Sequence, residues 1–105
     1  MLGNVIDCFK NGKVFYTFHA RKEMEAEGLG AIKEAEVYEA VLNGEIIENY
    51  PDDEPYPSCL IFGATERGRP LHIVCAFAAD EDTAIVITAY QPDEKLWIDF
   101  KRRKR

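Results

Sequence analysis

Hydrophobic and polar positions along the 105-residue chain change their period near its middle. Leu2, Val5, Ile6 and Phe9 recur at helical spacing, and Asn11-Gly12 supplies a stop. Lys13 to Tyr16 reads as a short strand. Thr17 is suited to cap a second helix running to about Glu27, with Ala20 and Met24 inward and Lys22, Glu23 and Glu25 outward. Gly28 and Gly30 punctuate its end. A third helix is expected over about Ala31 to Asn43, with Ile32, Val37, Ala40 and Val41 on its apolar side and Gly44 as its stop. The Gly-Leu-Gly link predicts that the last two helices are antiparallel neighbours.

The second half reads as strands. Glu45–Tyr50, Cys59–Ala64, Leu71–Ala78 and Ala84–Tyr90 are separated by turn-rich segments, and the first of these, Pro51–Pro57, carries three prolines. Lys95 to Phe100 is a short final element. Strands joined by short loops form an antiparallel meander. The expected architecture is an α+β two-layer fold, with the N-terminal helices on one face of a sheet of about four strands. It forms one domain over residues 1–100, followed by a basic tail at 101–105.

Turn lengths then predict register. Symmetric hairpins place Ala78 opposite Ala84, Val74 opposite Thr88, His72 opposite Tyr90, Ala64 opposite Pro70 and Phe62 opposite His72. Paired residues share a face, so His72, Tyr90, Phe62 and Thr88 cluster on one side. Leu71, Ile73, Cys75, Phe77, Ile85 and Ile87 are left to face the helices as core.

Charge sharpens this picture. The net charge is −6, yet Lys101, Arg102, Arg103, Lys104 and Arg105 hold five of the 13 cations. Without them eight cations face 19 acids, a balance of −11. The body is therefore a poor non-specific nucleic-acid binder, since such binding depends on neutralising phosphates. The tail reads as a solvated terminal charge run that RNA or an acidic partner could engage. Cys8, Cys59 and Cys75 are odd in number and lack metal-ligand spacing, which predicts buried free thiols. No leader and no membrane-length apolar run is visible, so the expected location is the cytoplasm. No Gly-rich phosphate loop, G-x-S-x-G or calcium loop is present, and no metal or cofactor is expected.

The usable chemistry lies in two places. His72 beside Tyr90, with Arg67 and Arg69 on the preceding turn, could transfer a proton and hold a phosphate. The same register also suits a hydrogen-bonded structural pair. His19, Arg21 and Lys22 crowd the first turn of the second helix, where the dipole favours a neutral imidazole, the general-base form. The alternative there is a capping contact for His19 and a solvated face for the cations, with Arg21 pairing to Glu25.

The segments TFHARKEM, VLNGEIIENYPDDEPYPSCLIFG, GRPLHIV and ITAYQPDEKLW resemble a family of small bacterial and archaeal domains of unknown function. That family is distantly similar to RelE-like toxins, some of which lie beside a zinc-finger antitoxin as in MqsR-type pairs. The resemblance implies a RelE-toxin-like fold, a ribonuclease (mRNA interferase) activity, and RNA and an antitoxin as partners. The expected function is thus a metal-independent endoribonuclease of a toxin–antitoxin pair. His19, His72 and Tyr90 are its catalytic candidates, and Arg21, Lys22, Arg67 and Arg69 its phosphate or RNA binders. The alternative is a non-catalytic interaction or regulatory module, with a homodimer joined through sheet edges as one form.

Overall fold

Asn-Gly and Thr punctuate the start of the chain where expected. In the computed structural model, which describes residues 1–105, α1 (Leu2–Lys10) ends before Gly12, whose φ of +71° takes the left-handed turn. After β1 (Val14–Tyr16), the Thr17 hydroxyl accepts from the Ala20 N–H at 3.0 Å and caps α2 (Phe18–Ala26). Helix α3 (Glu34–Leu42) starts three residues later than Ala31, at a capping box in which the Glu36 carboxylate accepts from the Lys33 N–H. Residues 27–33 join the two helices.

Five strands make one sheet: β1, β2 (Glu45–Tyr50), β3 (Ser58–Ala64), β4 (Pro70–Ala78) and β5 (Thr83–Tyr90), ordered β1-β5-β4-β3-β2. The β2 to β5 part is the expected antiparallel meander. The whole sheet is mixed, because β1 adds to the β5 edge in parallel, with Phe15 opposite Ile85. A three-residue run carries no sign of its partner's direction, and the two helices between β1 and β2 are what bring it back alongside β5. The fold is α+β, with helices packed on a five-stranded sheet.

The core lies between the helices and the sheet. Val5, Phe9, Ala20, Met24, Val37, Ala40 and Val41 meet Ile61, Leu71, Ile73 and Cys75 there. All three cysteines are buried free thiols, as their spacing implied. The predicted core differs at β5. Ala84, Val86 and Ala89 are buried, whereas Ile85 and Ile87 are only half-buried. The cause is a bulge. Pairing runs Val74–Thr88 and then Cys75–Val86, leaving Ile87 unpaired and shifting Ala78 from Ala84 to Thr83. The Ile87 carbonyl is taken by the Thr17 hydroxyl at 3.2 Å, so the cap of α2 also anchors the bulge.

Helix α3 sits close on β3 because position 63 is glycine. A Cβ there would lie 1.9 Å from the Ala40 carbonyl oxygen, and a backbone atom cannot swing aside. Gly63→Ala should therefore destabilise the protein by about 3 kcal/mol, the upper range of overpacking. Gly3→Ala, with nothing within 4 Å of the added carbon in α1, should be neutral or stabilising by about 0.5 kcal/mol. Urea denaturation midpoints of the two variants check both.

Candidate functional site

The sheet's second face, away from the helices, carries the chemistry. Strand alternation puts Phe62 on β3, His72 on β4 and Tyr90 on β5 there, in the register that the turn lengths predict. A C-terminal strap, residues 93–105, folds back across this face. Its β6 (Trp97–Ile98) and β7 (Arg102–Arg103) form a hairpin, so part of the basic run is a paired strand, although residues 101–105 are all exposed. Asp99 and Phe100 form its turn, with φ of 53° and 62°. Two left-handed residues in succession match the twist of a tight hairpin. Asp tolerates that conformation and Phe does not, at a cost of about 1–2 kcal/mol. The contacts of Phe100 offset this cost. Its ring stacks on Phe62 at 6.2 Å, and its carbonyl reaches His72.

His72 is completely buried at the centre of this contact. The Trp97 ring lies edge-on at 4.4 Å, Tyr90 at 5.3 Å and Phe62 at 6.0 Å. The partners settle the tautomer. A carbonyl can only accept, so Nε2–H donates to the Phe100 oxygen at 2.5 Å. Nδ1 is then the acceptor, and the Tyr90 hydroxyl donates to it at 3.1 Å. Burial is the main influence on His72 and lowers its pKa below the ordinary imidazole value, against a raising contribution from the Phe100 carbonyl. The ring is therefore neutral at pH 7. Burial likewise raises the Tyr90 pKa and keeps its proton in place.

Charge clamps the strap edges. The Arg103 guanidinium donates twice to Glu48 of β2, at 2.8 and 3.1 Å, and lies over the Trp97 ring at 4.6 Å. This bond holds the Glu48 carboxyl below its usual range. Lys101 pairs with Glu45 at 3.2 Å and sits over Phe62. Arg102, Lys104 and Arg105 are exposed and make no ion pair.

The other candidates lie elsewhere. His19 is exposed on α2 with no hydrogen-bond partner, so the two histidines share no accessible surface. Arg21 pairs with Glu34 at 2.8 Å, not with Glu25, and lies over the Tyr16 ring. Lys22 lies over Phe18. Arg67 is exposed on the β3–β4 turn without a partner. Arg69 is no free phosphate binder. Its guanidinium donates to Gln91 at 2.8 Å, to Glu36 at 3.2 Å and to the Gly30 and Ala31 carbonyls, tying the α2–α3 link and α3 to the end of β5. No group of three or more His, Cys, Asp or Glu is placed to hold a metal. No helix is long and apolar enough to cross a membrane. Trp97, Phe100, Arg103 and Glu48 complete the site and were not foreseen as parts of it. The Lys95–Phe100 element was visible, but nothing local says which face it covers.

Two outcomes follow. Arg69→Ala should cost about 2–3 kcal/mol in urea denaturation, because carbonyls and a carboxylate lose a half-buried partner, while Arg67→Ala should stay within about 0.5 kcal/mol. For His72 the pKa is depressed on folding, so below about pH 6.5 the unfolded chain binds a proton that the folded chain refuses. Stability at neutral pH should thus fall as pH drops through 6.5. Trp97 is the one tryptophan in the chain, so its fluorescence during thermal melts at pH 5 to 8 reports this directly. A His72→Asn variant should lose that part of the pH dependence.

Comparison with known proteins adds one positive finding. No curated protein and no solved structure matches the chain. A family model described as a domain of unknown function matches residues 16–91, from the end of β1 through all of β5. The chain belongs to that family, DUF4258.

Proposed function

We propose that the domain is a toxin-type, metal-independent endoribonuclease that an antitoxin partner holds in check, with the strap-covered face as its RNA surface. One observation carries this reading: the strap that covers His72 and Tyr90 ends in the cations of residues 101–105, of which Arg102, Lys104 and Arg105 are exposed and make no ion pair. Phosphate contacts dominate RNA affinity, and here the unpaired Arg102, Lys104 and Arg105 supply them locally despite the acidic body. The resemblance of its segments to a family distantly similar to RelE-like toxins, and an α+β fold with helices on a sheet, are consistent with the same reading.

The chemistry runs through the Tyr90–His72 pair. Once RNA has displaced the strap and solvent reaches the pair, the Tyr90 oxygen takes the 2′-hydroxyl proton of the RNA while its own proton moves to His72 Nδ1. The freed 2′ oxygen attacks phosphorus, the strap cations stabilise the phosphorane, the 5′ oxygen leaves with a proton from solvent, and His72 returns its proton to solvent. A cyclic phosphate and a 5′-hydroxyl end result. RNA that engages Lys101 and Arg103 competes with Glu45 and Glu48 for them and so loosens the cover over Tyr90.

A second reading, a non-catalytic interaction or regulatory module, is favoured by the full burial of His72 with both nitrogens bonded. Strong induction in cells, together with purified protein on RNA in EDTA, separates the two. The enzyme reading expects growth arrest and EDTA-insensitive cleavage. Cleavage should fall at least about 100-fold in Tyr90→Phe and stay unchanged in His19→Ala. Normal growth and intact RNA with folded protein at micromolar concentration would contradict it and favour the module.

A further inference from the structure

A second feature lies on the helix side, far from the strap in chain order. A cleft of about 650 Å³ opens between α1, β1 and α3. Its walls include Phe9, Tyr16 and Tyr38, with the Phe9 and Tyr38 rings 6.5 Å apart. Glu34, Glu39 and Glu66 also line it, and no cation does. The size suits a small ligand or a few side chains.

Tyr16 distinguishes this cleft from an ordinary acidic surface. Its side chain is only 6% exposed, yet its hydroxyl makes no hydrogen bond within the chain. No buried side-chain polar atom in the protein is cut off from both partner and solvent. The Tyr16 hydroxyl must therefore keep some contact with solvent, and Tyr16 lines the cleft. A largely buried phenol without a hydrogen-bond partner is thus part of the cleft wall. Burial and the Glu34 carboxylate both raise its pKa, so it remains protonated.

Aromatic faces and carboxylates together select organic cations. The chain already uses this chemistry next to the cleft. The Arg21 guanidinium lies 5.3 Å from the Tyr16 ring centroid and pairs with Glu34 at 2.8 Å. One guanidinium against three carboxylates leaves the cleft negative. Glu39 accepts from the Glu66 N–H at 3.0 Å, which fixes its position without neutralising it.

We propose that this cleft binds an organic cation, an amine or guanidinium on an apolar stem. The charge meets Glu34, Glu39 and Glu66, the stem packs on Phe9, Tyr38 and Leu42, and the Tyr16 hydroxyl bonds a polar group at the floor. The same chemistry is carried by a free polyamine or by a basic side chain of a peptide. Calorimetric titration of the full chain with spermidine, with agmatine, and with a short capped Leu-Arg-Leu peptide distinguishes the sources. Binding by either class is expected, weakening with added salt and weaker by about tenfold in Glu34→Gln and in Tyr38→Ala. Glu34 and Tyr38 are exposed, so both variants should keep the wild-type melting profile. Tyr16→Phe, which removes only the hydroxyl, is the more conservative check on the floor. No binding of any of the three at millimolar concentration would overturn the proposal, as would equal binding of n-hexanol, which has the stem and lacks the charge.

Discussion

A buried imidazole with two committed nitrogens organises the second face of this sheet. An imidazole enclosed by Phe62, Tyr90 and Trp97 must satisfy a donor and an acceptor without water. Tyr90 serves one nitrogen from the neighbouring strand. The other is served by a backbone carbonyl on the strap, brought within reach by a left-handed Phe100. The strap is therefore tied to the sheet by a bond whose loss would leave a buried polar atom without a partner, at a cost of about 1–3 kcal/mol. The Arg103–Glu48 and Lys101–Glu45 pairs are more exposed and add less.

That tie also places the charge. Five cations at one end of an acidic chain would repel little and bind weakly if they hung free. Lys101 and Arg103 are instead held at Glu45 and Glu48 of β2 beside the exposed Arg102, Lys104 and Arg105, while the cleft lined by Glu34, Glu39 and Glu66 lies among the helices. The molecule is electrically two-sided, and its net charge of −6 describes neither side.

The parts of the fold that were legible in the sequence are those set by local chemistry. The Thr17 cap, the three helices, and the Phe62–His72–Tyr90 row follow from capping residues, periodicity and turn length. What was not legible depends on distant partners. The Ile87 bulge is anchored by a hydroxyl 70 residues away, and it alone moves Ile85 and Ile87 out of the expected core. The parallel docking of β1 follows from the path of α2 and α3. Arg69 looked like a phosphate ligand because its type and position suit one, but Glu36, Gln91 and two carbonyls surround it. The strap could not be placed because a basic terminal run reads as solvated until Glu45 and Glu48 are known to flank it. The row of His72 and Tyr90 was thus foreseen, and its cover was not.

The state of the His72 ring is the central physical claim, and nitrogen-detected NMR reads it directly. Long-range proton–nitrogen correlation across pH 5 to 8 should show the Nε2-protonated tautomer at neutral pH, a slowly exchanging Nε2 proton, and a titration midpoint below the usual imidazole value. A ring that titrates near pH 6.5 with fast proton exchange would contradict the account, because it would mean that His72 is open to water and the strap does not hold the face.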